Sequence, residues 1–181
     1  MGRTLRPAEQ THMTIPEQRR TAQAMAFQYL ATCPRTAHEV RQHLHRRGVA
    51  DAVIEHVIEA LYTQGALDDT AYTRAYLTTR LAGRGYGPQR LHRELHRRGV
   101  SRARVEEVAQ QVLTAQDVLT AARRQAAQRW PRLTREPDHA KRRQKLFAFL
   151  RRRGFSTAVA QQVTLEVVQD TASGDHPRQA N

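Results

Sequence analysis

A single cysteine, Cys33, among 181 residues leaves the fold without an intramolecular disulfide. Placed just before Pro34 in an expected loop, it reads as a bystander thiol rather than a nucleophile. No apolar run approaches the roughly 20 residues that a membrane-spanning helix requires. Residues 1–24 also lack the apolar core of a secretion signal, so a soluble cytoplasmic protein is expected. Aromatic residues make up only 6% of the chain, while alanine, glutamine and leucine are abundant, which favours helix over sheet and predicts an all-α fold. The glycines of Gly83-Arg84-Gly85-Tyr86-Gly87 follow no strand and lead into no Gly-Lys-Ser/Thr, so they support neither a P-loop nor a dinucleotide fold. Serine, histidine and aspartate occur without a nucleophile motif, and no enzyme and no cofactor are expected.

The excess is of arginine. Basic residues number 30 against 17 acidic ones, a net charge of +13, and Lys141 and Lys145 are the only lysines. Such a field attracts polyanions, either nucleic acid or an acidic protein surface. The same arginine and alanine bias also follows from a GC-rich coding sequence, so composition alone does not choose the partner.

Laid on itself, the chain repeats. Leu44-His45-Arg46-Arg47-Gly48-Val49 recurs as Leu95-His96-Arg97-Arg98-Gly99-Val100 and again as Leu150-Arg151-Arg152-Arg153-Gly154-Phe155. Val40, Leu91 and Leu146 stand four residues upstream, and Ile54, Val105 and Ala160 begin the downstream stripe, which continues through Val57, Val108 and Val163 at helical spacing. Thr36-Ala37-His38-Glu39 has the form of a capping box, and Gly48, Gly99 and Gly154 are natural left-handed helix stops. Ser101 and Ser156 suit the caps of the helices that follow, with Asp51 expected in that role in the first copy. Leading helices open at Thr14-Ile15-Pro16-Glu17, at Asp68 and near Asp117. The expectation is an elongated array of three tandem three-helix repeats, nine helices in all, spanning 14–66, 67–114 and 115–170. Residues 1–13 and 171–181, poor in apolar side chains, are expected to be disordered tails.

Several residues invite chemistry. The pairs Arg46-Arg47 and Arg97-Arg98 and the run Arg151-Arg152-Arg153 close the middle helices, where positive charge also suits the helix dipole, worth a few tenths of a kcal/mol per exposed charge. With Arg80, Arg84, Arg90 and the cluster Lys141, Arg142, Arg143 and Lys145, they form a candidate polyanion-facing surface. His92 and His96 have ligand spacing, but Arg93, Arg97 and Arg98 would repel a cation and the repeat alignment places basic residues at the same positions, so no metal is expected. Asp68-Asp69 reads as a cap rather than a carboxylate pair, because adjacent residues do not share a helix face.

Leu67-Asp68-Asp69, Tyr72, Tyr76 and Arg80, then Gly85-Tyr86-Gly87-Pro88-Gln89-Arg90-Leu91 and Glu94-Leu95-His96-Arg97-Arg98-Gly99-Val100, together resemble the signature of the RecX family of bacterial recombination regulators. The resemblance spans about residues 14–170 and implies tandem three-helix units. It also implies a partner, RecA, with the protein lodged in the groove of the RecA filament on single-stranded DNA, blocking extension and inhibiting ATP hydrolysis, strand exchange and coprotease activity. On that basis Tyr72, Tyr76, Arg80, Arg84, Arg90, Arg97 and Arg98 are the first expected contact region, although the two tyrosines equally suit a core. Residues 141–145 and 151–153 are the second. The proline-broken loop at 131–137 and the longer start depart from the family pattern.

A different class remains open: a DNA-binding regulator whose repeats act as helix-turn-helix modules, with single- or double-stranded DNA as direct ligand. Against it, the basic residues end the middle helices instead of starting them. A plain helical scaffold would bind neither. A monomer is expected, since no self-complementary patch is evident.

Overall fold

The computed structural model describes residues 14–174, and the tails expected at 1–13 and, for its last part, at 171–181 lie outside the described residues. Nine α-helices and no strand occur among the described residues. In order they are α1 (Ile15–Leu30), α2 (Ala37–His45), α3 (Asp51–Thr63), α4 (Asp69–Thr79), α5 (Pro88–Arg97), α6 (Arg102–Val112), α7 (Ala115–Arg129), α8 (His139–Arg153) and α9 (Thr157–Gly174). A π turn at Arg80–Arg84 extends α4, and a 3-10 turn at Trp130–Leu133 extends α7. No helix among the described residues is long and apolar enough to cross a membrane.

Local chemistry explains the boundaries. At the start of α2, Thr36 Oγ1 accepts from the Glu39 amide at 3.2 Å while the Glu39 carboxylate accepts from the Thr36 amide at 3.1 Å. Asp68 Oδ1 accepts from the amides of Thr70 and Ala71 and starts α4. Ser101 and Ser156 cap as their spacing predicts. The cap expected from Asp51 is not made: Ala50 occupies the capping position without a side-chain bond, and Asp51 is instead the first helical residue, where its charge favours the dipole. The helix expected from about Asp117 begins earlier, because Thr114 is the cap and Asp117 closes a capping box from inside the first turn.

The described residues divide into two compact units, which cut across the second repeat. The first takes in residues 14–73 and 95–105, the second 74–94 and 106–174. In the first unit α1, α2 and α3 pack on one another around Ala26, Val40, Leu44, Ile54, Val57 and Leu61. The alternation of four- and three-residue steps puts these side chains on facing stripes. In the second unit α7, α8 and α9 pack together, and Leu146, Leu150, Phe155, Ala160 and Val163 are fully buried there. The segment after α7 is not an open loop, because Trp130 and Leu133 are buried and fold the 3-10 turn onto α7 and α8.

Candidate polyanion-binding surface

The basic ends of the middle helices have two different fates. In the first unit the end of α5 meets the start of α2. The Thr36 hydroxyl donates to the Arg98 carbonyl at 2.6 Å, and Arg98 Nη1 reaches Glu39 Oε1 at 2.6 Å. Gly99, at φ 81°, lies so close to His38 that a Cβ would come within 2.2 Å of its side chain. A negative helix end thereby meets a positive one, and the cation of Arg98 is neutralised by the carboxylate of Glu39.

In the second unit the end of α8 meets the start of α5 in a similar way. The Gly87 amide donates to the Arg153 carbonyl at 2.9 Å and the Gln89 amide to the Gly154 carbonyl at 3.1 Å. A Cβ on Gly87 would lie 2.3 Å from the Gly154 carbonyl carbon, so this approach requires glycine. In the repeat alignment Gly87 stands where Thr36 does, Arg153 where Arg98 does, and Arg90 where Glu39 does. The acid of the first joint is therefore an arginine in the second.

Tyr86 is the hub of this second joint. The Arg90 guanidinium lies over its ring at 3.7 Å and that of Arg153 at 5.6 Å from the ring centre. The neighbouring Arg84 side chain, together with the positive charge of Arg90, holds the phenol below its ordinary pKa. Glu94 offsets part of the charge, accepting from Arg90 Nε at 2.8 Å and from the Tyr76 hydroxyl at 2.7 Å. Arg80 lies over Tyr76, and Arg129 and Arg153 both lie over Phe149. The result is a run of guanidinium groups interleaved with aromatic rings.

Two supports fix the near edge. Arg124 donates to the carbonyls of Leu81 and Ala82, taking up acceptors of the π turn, and the buried Gln125 side chain fills the space beside Gly85, which turns at φ 60°. The π turn thus sets where Arg80 and Arg84 leave the helix.

Of the residues singled out from sequence, Tyr76, Arg80, Arg84 and Arg90 come together here, joined by Arg153. Tyr72 is half-buried on α4 in the first unit, where Arg98 closes its joint with Glu39. Arg46 is exposed and Arg47 half-buried after α2. Arg97, Arg143 and Arg152 are exposed and have no ion pair among the described residues. Lys141 lies 3.9 Å from Asp138, Lys145 pairs with Glu136, and Arg142 donates to the Glu136 carbonyl and lies over Trp130. Arg151 donates to the Phe155 carbonyl at 2.8 Å. Among the described residues no group of three histidine, cysteine, aspartate or glutamate side chains could hold a metal. His92 is half-buried, with Nδ1 3.7 Å from Glu106. Sequence reasoning missed Arg129, Phe149 and the two joints. The signal available was Gly87 and Arg90 standing in the repeat positions of Thr36 and Glu39.

The same three-part organisation appears in known proteins. Residues 22–61, 68–108 and 115–164 match the first, second and third three-helix domains of RecX, in that order. The regulatory protein RecX of Thermobifida fusca is 32% identical over 148 residues, covering 82% of this chain and 79% of that protein. That of Prosthecochloris aestuarii is 30% identical over 149 residues, covering 82% of this chain and 95% of that one. The crystal structure of RecX from Lactobacillus salivarius superposes with a TM-score of 0.78 over 85% of this chain and 99% of that one, at 19% identity, a likeness of fold. With three consecutive domain matches and relatives aligned over most of their length, the chain belongs to the RecX family, whose named members are regulatory proteins.

Proposed function

We propose that this protein is a negative regulator of RecA, binding the RecA filament on single-stranded DNA in its helical groove and blocking filament extension. It thereby lowers ATP hydrolysis, strand exchange and coprotease activity, acts in the cytoplasm as a monomer, and performs no covalent chemistry. The observation that carries this reading is the ordered match of three RecX domains, 22–61, 68–108 and 115–164. The arginine and aromatic surface around Tyr86 supplies the physical means, since guanidinium forks suit both carboxylates on a protein surface and phosphates on DNA.

The joints weigh against the helix-turn-helix alternative for the middle helices. A helix that reads bases presents its N-terminal residues to the groove. Here the N-termini of α2 and α5 are occupied by the carbonyls of Arg98 and of Arg153 and Gly154.

The test is RecA ATP hydrolysis on single-stranded DNA, with this protein titrated in from far below one molecule per RecA. Inhibition at substoichiometric amounts, undiminished by added DNA, is the expected result. Inhibition only once the DNA is coated would overturn the mechanism in favour of direct DNA binding. A sedimentation coefficient independent of concentration is expected of the monomer.

A further inference from the structure

The two helix joints are built alike and charged differently. At the first, Arg98 meets Glu39. At the second, the equivalent positions hold Arg153 and Arg90, and both guanidinium groups lie over the ring of Tyr86, with Arg84 two residues before it in the chain. Three cations converge on one phenol, and Glu94, whose side chain is 15% exposed, is the carboxylate that answers them, through Arg90. Arg153 is further tied to the joint by donating to the Arg84 carbonyl at 3.0 Å.

The joint itself does not need this charge. Its main-chain bonds from Gly87 and Gln89 use no atom of the Arg90 side chain, and the first joint carries an acid, Glu39, at the same repeat position. Like charges gathered at one ring repel, and an anion shared among them relieves that repulsion. The Tyr86 ring, the Arg90 bond to Glu94 and the Arg153 bond to the Arg84 carbonyl hold the two guanidinium groups in place, and the N–H groups these bonds do not use remain for an acceptor with several oxygens. A phosphate presents such oxygens, and guanidinium forks bind it in two-point fashion.

We infer that the second joint is a phosphate-binding site, in which Arg84, Arg90 and Arg153, arrayed around Tyr86, hold a backbone phosphate of DNA. Because Arg90 belongs to the start of α5 and Arg153 to the end of α8, the bound phosphate bridges the two helices and strengthens their contact. DNA engagement and the docking of α8 on α5 are thereby coupled: the phosphate takes the place that Glu39 fills permanently in the first joint. The source of the phosphate follows from the nucleoprotein partner proposed above, whereas the site stands on its own geometry.

The full-length protein is tested without RecA, in two measurements. Thermal unfolding is followed with millimolar pyrophosphate against sodium chloride of equal ionic strength. A rise in Tm is expected for the wild type and for Arg19→Gln, an exposed control on α1 that matches Arg84→Gln in charge. The rise should shrink in Arg84→Gln and vanish in Arg90→Glu, which gives the second joint the chemistry of the first. No rise in the wild type, or the same rise in all four proteins, overturns the site.

Fluorescence anisotropy with labelled oligothymidylate supplies the second readout, with a duplex of equal length as the other arm. Removing one phosphate-binding arginine should lower the slope of log affinity against log salt by about 0.7 on the single strand and about 0.9 on the duplex. Arg84→Gln should show that reduction on at least one arm, Arg90→Glu, which reverses the charge, should show at least as large a one, and Arg19→Gln should show none. Equal slopes for the wild type and both site variants on both arms refute phosphate binding at the joint, even if RecA inhibition persists. Conversely, intact phosphate binding with no RecA inhibition by the wild type would sink the proposed regulation while leaving the site standing.

Discussion

The Thr36 hydroxyl donates a 2.6 Å hydrogen bond to the Arg98 carbonyl while accepting from the Glu39 amide at 3.2 Å. One side chain thus caps α2 and fastens the end of α5 to it. Thr36 is fully buried, so losing the hydroxyl leaves both an amide and a carbonyl short of a partner away from water. Thr36→Val should cost about 1–3 kcal/mol in urea unfolding. Thr36→Ser, which keeps the oxygen, should recover most of that. No loss in Thr36→Val would show that the bond contributes nothing, and a loss in Thr36→Ser as large as that in Thr36→Val would show that packing of the methyl group matters as much as the bond.

Three glycines separate backbone strain from close approach. Gly65 has φ 68° but open space where a Cβ would go, so Gly65→Ala should lose about 1–2 kcal/mol from the left-handed conformation alone. Gly154 has φ 93° and a Cβ would sit 2.4 Å from Arg90 Cβ, so Gly154→Ala should lose more than Gly65→Ala. Gly83 has neither constraint. Gly83→Ala should be neutral or gain up to about 1 kcal/mol by reducing the freedom of the unfolded chain. Equal effects at Gly65 and Gly154 would mean that α8 and α5 separate to absorb the methyl group.

The repeat was legible because its stops and caps are local. Gly48, Gly99 and Gly154 all take positive φ, and Thr36, Asp68, Ser101 and Ser156 cap as spacing predicts. Asp51 misled because an acid in the first turn serves the dipole as well as one at the cap does, and sequence alone does not distinguish the positions by one residue. The π turn was hidden for another reason. What sustains it past Thr79 is Arg124 bonding the carbonyls of Leu81 and Ala82 and Gln125 beside Gly85, both about 40 residues later in the chain. Likewise Arg98 and Arg153 occupy the same repeat position, yet one is neutralised and the other left cationic, because the residue each meets lies in a different repeat. The site was visible as a set of basic residues, and their division into joint and surface depended on long-range partners.

Acid should weaken the link between α7 and α9. Arg123 donates to both oxygens of Glu166, and that bonding holds the Glu166 carboxyl down at about 2. A depressed carboxyl stabilises the fold above its unfolded value of about 4.3 and loses that contribution as pH falls toward the folded value. Stability should therefore decline between about pH 4.3 and about 2 more steeply in the wild type than in Arg123→Gln. A carboxyl titration of Glu166 followed by NMR supplies the direct check. Unchanged titration in the variant would assign the depression to Gln162, which donates to Glu166 Oε1 at 3.0 Å.

The arginines sort into those the fold uses and those it leaves exposed. Arg98 bonds Glu39, whereas Arg97, its neighbour on the next helical position, is exposed with no ion pair among the described residues. Arg142 bonds the Glu136 carbonyl, and Arg143 beside it is exposed in the same way. Surface substitutions away from such bonds stay within about 0.5 kcal/mol, whereas a lost charged hydrogen bond costs about 1.5–3 kcal/mol. Combined Arg97→Gln and Arg143→Gln should thus leave the unfolding midpoint nearly unchanged and raise the amount of protein needed to inhibit RecA ATP hydrolysis. Arg98→Gln should lower the midpoint at the outset, with any loss of inhibition following from loss of fold. If the surface pair leaves inhibition intact while Arg84→Gln abolishes it, the partner interface is confined to the joint around Tyr86, and the wider positive field serves only long-range attraction, which added salt should then screen away.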